Sequence, residues 1–127
     1  MAEVQAQYQN SIETQNELYC VDGQPYTGLF KDNAGEYLVE KRFQNGHLHG
    51  VQKTFYKSGQ LKIASVFTNG RENGRRVEYY ECGSKKLNSN FTDGQQSGVQ
   101  EEYCREGSLK ARKTFYNGKL IAIKGNL

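Results

Sequence analysis

Glycine recurs in this chain at a fixed interval, and that interval restricts the fold more than any other feature. Gly46, Gly70, Gly94 and Gly118 stand 24 residues apart, as do Gly50, Gly74 and Gly98, and Gly59, Gly83 and Gly107. The first series follows Asn45, Asn69, Asp93 and Asn117, and Phe43, Phe67, Phe91 and Phe115 precede it by three. Phe55, Tyr79 and Tyr103 form a further aromatic column. A period of this length marks a repeat architecture, in which each unit buries its surface against its neighbours. An earlier, degenerate unit runs through Asp22-Gly23, Gly28, Gly35 and Phe43, with a Gly23-to-Gly28 spacing of five where later units have four. The expected organisation is a repeat domain over 19–127, with units at about 22–45, 46–69, 70–93 and 94–117 and a partial unit at 118–127. Residues 1–18, rich in Gln and Asn, are expected to form a polar tail or a capping strand.

Each unit translates into two strands. Asn-Gly and Asp-Gly are strong two-residue hairpin signals, because a type I′ turn needs positive φ at both central positions. The second turn, as in Lys57-Ser58-Gly59, fits a three-residue loop with glycine in the left-handed position. In the second unit the strands should cover about 50–56 and 60–68. Fourteen glycines against one proline agree with many such turns. The predicted fold is all-β: an elongated antiparallel meander of β-hairpins with a 24-residue period, in one twisted sheet layer.

A three-residue loop pairs Tyr56 with Gln60, Phe55 with Leu61 and Lys53 with Ile63. Val51, Phe55, Leu61, Ile63 and Phe67 then share one face, followed by Val77, Tyr79, Leu87 and Phe91, and by Val99, Tyr103, Leu109, Ala111 and Phe115. Gln52, Thr54, Tyr56 and Lys62 and their equivalents, among them Arg76, Glu78, Tyr80 and Lys86, fall on the other face. Glu78 is expected opposite Lys86, and Glu102 opposite Lys110, as favourable cross-strand pairs. A two-residue Asn69-Gly70 turn pairs Phe67 with Glu72, so one extra residue must be absorbed to keep this apolar face together. A bulge or sharp bend is therefore predicted at Gly50, Gly74 and Gly98.

The string Asn-Gly-x-x-x-Gly-x-x-x-x-aromatic-aromatic-x-x-Gly-x-Leu-Lys resembles the variant MORN repeat of bacterial proteins. Residues 69–87 (NGRENGRRVEYYECGSKKL) and 93–110 (DGQQSGVQEEYCREGSLK) carry it most plainly, and the resemblance extends over about 22–122. The Trp that family members often carry in the first strand is absent. The resemblance implies an elongated, twisted β-meander that binds proteins. Several bacterial members are antitoxins or immunity proteins that neutralise a co-encoded toxin. Classical members have been linked to membrane lipid and scaffolding roles.

No catalytic constellation is read from the residues. Ser58 and Ser65 near His47 and His49 lack an elbow or oxyanion motif. Glu101 and Glu102 alternate across a strand, and the glycines are periodic with Asn and Asp rather than followed by Lys-Ser or Lys-Thr. Three cysteines without CxxC spacing and two histidines in a turn region argue against a metal site or a disulfide framework, so neither cofactor nor metal is expected. Seventeen basic and fourteen acidic residues intersperse rather than cluster, which disfavours nucleic-acid binding. Free thiols, the polar MAEVQAQYQN start and the lack of a long apolar run predict a soluble, cytoplasmic protein with little affinity for membranes.

The remaining expectation is protein binding. Tyr56, Tyr80, Arg76, Lys62, Lys86 and Arg112 are the candidate contact residues, with Tyr80 and Arg76 foremost because Tyr and Arg are enriched at binding hot spots. The expected function is neutralisation of a toxin enzyme by direct contact. The alternative is a scaffold that self-associates through its apolar face or sheet edge, or binds a membrane surface through the Lys62, Lys86 and Lys110 column.

Overall fold

The computed structural model describes residues 4–8, 13–15 and 17–125. The strands in chain order are β1 (Val4–Tyr8), β2 (Glu13–Gln15), β3 (Leu18–Val21), β4 (Gln24–Pro25), β5 (Gly28–Ala34), β6 (Tyr37–Gln44), β7 (His47–Leu48) and β8 (Gly50–Tyr56). They continue as β9 (Leu61–Thr68), β10 (Arg71–Glu72), β11 (Gly74–Tyr79), β12 (Lys85–Thr92), β13 (Gln95–Gln96), β14 (Gly98–Tyr103), β15 (Leu109–Tyr116) and β16 (Lys119–Gly125). Among the described residues the chain is all-β. From β5 onward the long strands pair with their chain neighbours in an antiparallel meander that does not close into a barrel. Spatial order therefore follows chain order. Two features depart from a plain meander: β1 joins the sheet parallel to β5, and β2, β3 and β4 form a second, small sheet.

The turns follow from the sequence. Asn45, Asn69, Asp93 and Asn117 have φ between 47° and 51°, and the glycine after each lies between 81° and 85°, the paired positive φ of type I′ turns. Their stacking could not be read from one unit. The Gly46 N–H donates to the Tyr26 carbonyl (2.9 Å), Gly70 to Leu48, Gly94 to Glu72 and Gly118 to Gln96 (2.8 Å each). Each turn thus rests on the short strand of the unit before it. At the opposite margin the three-residue loops close as expected: the Tyr56 N–H donates to the Gln60 carbonyl (2.8 Å) and the Gly59 N–H to Tyr56 (2.9 Å), with the same pattern at Tyr80 and Cys104.

The register beyond these loops corrects the expected faces. Phe55 pairs with Leu61, but Thr54, not Lys53, lies opposite Ile63. One residue, Lys62, is bulged out, and Lys86 and Lys110 occupy the same place in the next two units. The bulge inverts the alternation. Phe67 and Ile63 share a face with Gln52 and Thr54, and Phe91 and Leu87 share one with Arg76 and Glu78. Val51 and Val99 turn to the other face, 41% and 42% exposed. Glu78 sits opposite Leu87 and Glu102 opposite Ala111, so the expected pairs with Lys86 and Lys110 do not form. Arg76 and Lys113 approach these two carboxylates instead, at 3.8 and 2.8 Å.

Gly50, Gly74 and Gly98 do mark bends. They have φ of 94°, 131° and 77° and follow His49, Asn73 and Ser97, where the strand is interrupted. The bend absorbs two residues rather than the expected one. Glu72 pairs with Phe67, and Val77 already faces Ala64. A two-residue shift preserves parity, so Glu72, Gly74, Arg76 and Glu78 all stay on the phenylalanine face. Each bend glycine lies directly opposite a phenylalanine: Gly50 and Phe67, Gly74 and Phe91, Gly98 and Phe115.

The phenylalanine face is unevenly covered. Phe43 is buried against Tyr19 and Tyr26, with ring centroids 5.1 and 5.6 Å away, so the small sheet caps the first unit. Farther along, a polar row replaces apolar cover. Gln52 pairs with Ser65, Arg76 with Ser89 and Gln100 with Lys113, and Gln52, Ser65 and Ser89 are buried. Gln52 accepts from the Arg42 N–H (2.6 Å) and donates to the Arg42 carbonyl (3.1 Å), which ties it to the neighbouring hairpin.

Candidate interaction surfaces

Two surfaces carry the chemistry available for binding. The first is the margin formed by the three-residue loops. Tyr56 ends β8 and Tyr80 directly follows β11, and each hydroxyl reaches the next unit: Tyr56 donates to the Tyr79 carbonyl and Tyr80 to the Tyr103 carbonyl, both at 2.7 Å. Cys104 occupies the third place in this column. Cations pack on the tyrosine rings. Lys62 Nζ lies 5.2 Å from the Tyr37 ring centroid and 5.6 Å from that of Tyr56, and Lys86 Nζ lies 5.6 Å from Tyr80. Arg105, from the following loop, stands 5.4 Å from Tyr80 on the same margin. These distances suit cation–π attraction, which holds both partners in defined positions.

An open cleft of about 550 Å³ ends this margin, lined by Tyr37, Phe55, Tyr56, Glu36, Glu40 and Lys57 among others. Tyr37 and Tyr56 meet edge to face at 6.2 Å. Removing the Tyr80 hydroxyl by Tyr80→Phe should cost about 1 kcal/mol, the net value of one hydrogen bond, while leaving ring packing intact. Urea unfolding checks this, and a loss beyond 2 kcal/mol would mean that the ring itself had shifted.

The second surface is the end of the sheet at β16. All seven residues of this strand are exposed, and among the described residues it pairs only with β15. Leu120, Ile121 and Ile123 are 42%, 60% and 61% exposed, and Tyr116 beside them 66%.

The six candidate contact residues separate in the fold. Tyr56, Tyr80, Lys62 and Lys86 do gather on the loop margin. Arg76 instead faces the phenylalanine side, where its Nε and Nη2 hold both Glu72 carboxylate oxygens at 2.8 and 2.7 Å and its guanidinium lies 4.8 Å from the Phe91 centroid. The hydrogen bonds to Glu72 raise its pKa above the ordinary arginine value. Arg112 lies on the opposite face and engages Glu101 at 3.1 Å. The Tyr103 hydroxyl and Arg112 together hold the Glu101 carboxyl below the ordinary carboxylate range, and Lys113 does the same to Glu102. Arg105 was missed because its own column, Lys57, Glu81 and Arg105, has no constant character. Its signal is positional: it follows Cys104, which falls 24 residues after Tyr80.

Among the described residues no group of three or more His, Cys, Asp or Glu side chains could hold a metal ion, and no helix is long and apolar enough to cross a membrane. The three cysteines are unpaired; a hydrogen bond with Ser84 lowers the pKa of exposed Cys82. Compared with known proteins, the chain matches no family model and no curated protein.

Proposed function

We propose that this chain is a protein-binding repeat module without catalytic activity of its own, acting in the cytoplasm as an antitoxin or immunity protein that covers a cognate bacterial toxin. The observation that carries the reading is the loop margin. Tyrosine, lysine and arginine side chains stand there in a fixed row, and the tyrosines are immobilised by hydrogen bonds from unit to unit. Pre-organised side chains lose little entropy on binding, and Tyr and Arg supply a large share of binding energy at protein interfaces. The resemblance to the variant MORN repeat supplies the toxin-neutralising part. A net charge of +3 calls for a toxin with an acidic contact surface.

A tagged copy recovered from lysate of the source organism should bring down a small enzyme in stoichiometric amount, whose activity falls on binding. Lys62→Glu/Lys86→Glu/Arg105→Glu should weaken that complex at least tenfold without unfolding the chain. Recovery of the protein alone, or of envelope components alone, would overturn the reading and favour a scaffold, for which the exposed β16 edge is the supporting observation.

A further inference from the structure

We propose that the cleft beside Phe55 seats one bulky apolar side chain of an acidic peptide segment of another protein, with carboxylates of that segment on Lys53 and Lys57. Occupancy of the cleft is independent of the toxin-neutralising reading, which is tested at Lys62, Lys86 and Arg105. The cleft has a cause in the repeat. Six residues after Gly50, Gly74 and Gly98 stand Tyr56, Tyr80 and Cys104. The two tyrosine hydroxyls bond to the next unit, and Ser84 Oγ ties its loop to the following one by donating to the Arg105 carbonyl at 2.8 Å. Gly28 faces Phe43 as Gly50 faces Phe67, but six residues on the chain has Ala34, which carries no hydroxyl. The turn there is also shorter: Ala34 pairs with Tyr37 across Gly35-Glu36, where later units have three-residue loops. A shorter turn without a bridging tyrosine leaves a gap between this hairpin and the next. The cleft of about 550 Å³ lies in that gap, with Asn33 and Gly35 from one hairpin and Lys57 and Gly59 from the other in its lining. Its volume falls within the range of ligand pockets.

The lining specifies the occupant. Leu38 pairs with Phe55, so both lie on the face opposite the phenylalanines and give the cleft an apolar floor. Tyr37 and Tyr56 pair on the other face, where Lys62 already supplies both rings with a cation. Lys31, Lys53, Lys57 and Lys62 stand in or beside the lining against Glu36 and Glu40, so the balance of charge there is positive. Glu40 stands opposite Lys53 in the register but pairs with Lys31, at 3.6 Å. Lys53 and Lys57 are exposed, and among the described residues no salt bridge reaches either. They stand two residues before and two residues after Phe55. An apolar side chain seated on Phe55 thus has an ammonium group on either side of it. A segment with carboxylates flanking one large apolar residue satisfies the floor and both lysines together, whereas a basic segment meets like charge.

The test uses the isotopically labelled full chain and three eight-residue peptides: one phenylalanine among aspartates and serines, the same peptide with alanine for phenylalanine, and the same with lysine for aspartate. The first should shift amide resonances over 33–38 and 53–59. It should bind at least tenfold more tightly than the alanine peptide, the effect of burying the ring. It should bind about tenfold more tightly than the lysine peptide, the effect of exchanging two attractive surface pairs for two repulsive ones. The Lys53→Glu/Lys57→Glu variant, altered only at exposed positions, should reverse the preference for charge and keep the preference for phenylalanine over alanine. Equal binding of the phenylalanine and alanine peptides, an unaltered charge preference in the variant, or no shift over 33–38 and 53–59 at millimolar peptide would each overturn the proposal. Shifts of these amides by phosphatidylserine vesicles but not by the aspartate peptide would overturn it as well and assign the cleft to lipid.

Discussion

Phe43→Ala should destabilise the protein by about 3–5 kcal/mol, the cost of removing a buried phenylalanine ring, and should release the N-terminal cap ahead of the remaining hairpins. Phe43 is 4% exposed and forms the buried core with Tyr26 and Phe30, against which Tyr19, Val21 and Leu48 pack. Its ring is the common contact of the small sheet and the meander: both tyrosines of the cap lie on it, and Gly28 stands opposite it across the strand pair. Alanine would leave a cavity bounded by two hydrogen-bonded hairpins that cannot collapse into it. Ties that would remain include the backbone hydrogen bonds between Tyr19, Tyr26 and Gly46 and the bond from the Tyr26 hydroxyl to the Leu29 carbonyl.

A stacked repeat transmits instability mainly to its nearest neighbours. Hydrogen exchange should therefore show early loss of protection over 18–44 and retained protection over 50–116. The corresponding Phe91→Ala, at a half-buried ring, should cost less, about 1.5–3 kcal/mol. Loss of protection in all units at one denaturant concentration would show that the cap and the meander unfold as one body.

Arg76→Gln should cost about 2–3 kcal/mol, because it leaves a buried carboxylate without its charge partner. Glu72 is 6% exposed, and Arg76 supplies two short hydrogen bonds to it. The Arg76 side chain is about one-third exposed, so water can partly replace it, which places the cost below that of a fully enclosed pair. The neighbouring unit shows the alternative solution: Gln96 and Gln100 hold the same two positions and hydrogen-bond to each other. The double variant Glu72→Gln/Arg76→Gln should therefore recover most of the loss. Urea unfolding of the two single variants and the double variant should give a coupling above about 1 kcal/mol, as for residues in one hydrogen-bonded network. Additive losses would mean that Arg76 stabilises the sheet through Phe91 rather than through Glu72.

The turns and the meander were legible in the sequence because each rests on a local backbone requirement. Asn69-Gly70 needs only its own two residues to adopt positive φ, and the loop at Lys57-Ser58-Gly59 only its glycine, so one unit predicts the next. The bends at Gly50, Gly74 and Gly98 were expected instead from the register, to absorb one residue where the structure absorbs two. Four of the six candidate contact residues, Tyr56, Tyr80, Lys62 and Lys86, also lie together as a 24-residue stack would place them.

Which side each residue faces was decided only by the tertiary structure. The expected faces assumed that a sheet gathers its apolar residues on one side. A single bulged residue at Lys62, repeated at Lys86 and Lys110, reverses that alternation, and no residue type announces it, since the bulge arises from how twisted strands leave a three-residue loop. The reversal is tolerated because both faces of a thin sheet are half-open. Val51 and Val99 lose little by facing outward, while Gln52, Ser65, Glu72 and Ser89 are buried, with Gln52 opposite Ser65 and Arg76 opposite Ser89 across the strands. These cross-strand neighbours are separated in sequence by a turn. Arg76 consequently belongs to the Glu72 pair rather than to the loop margin, because the two-residue shift at the Gly74 bend keeps these residues, four apart in the chain, on one face.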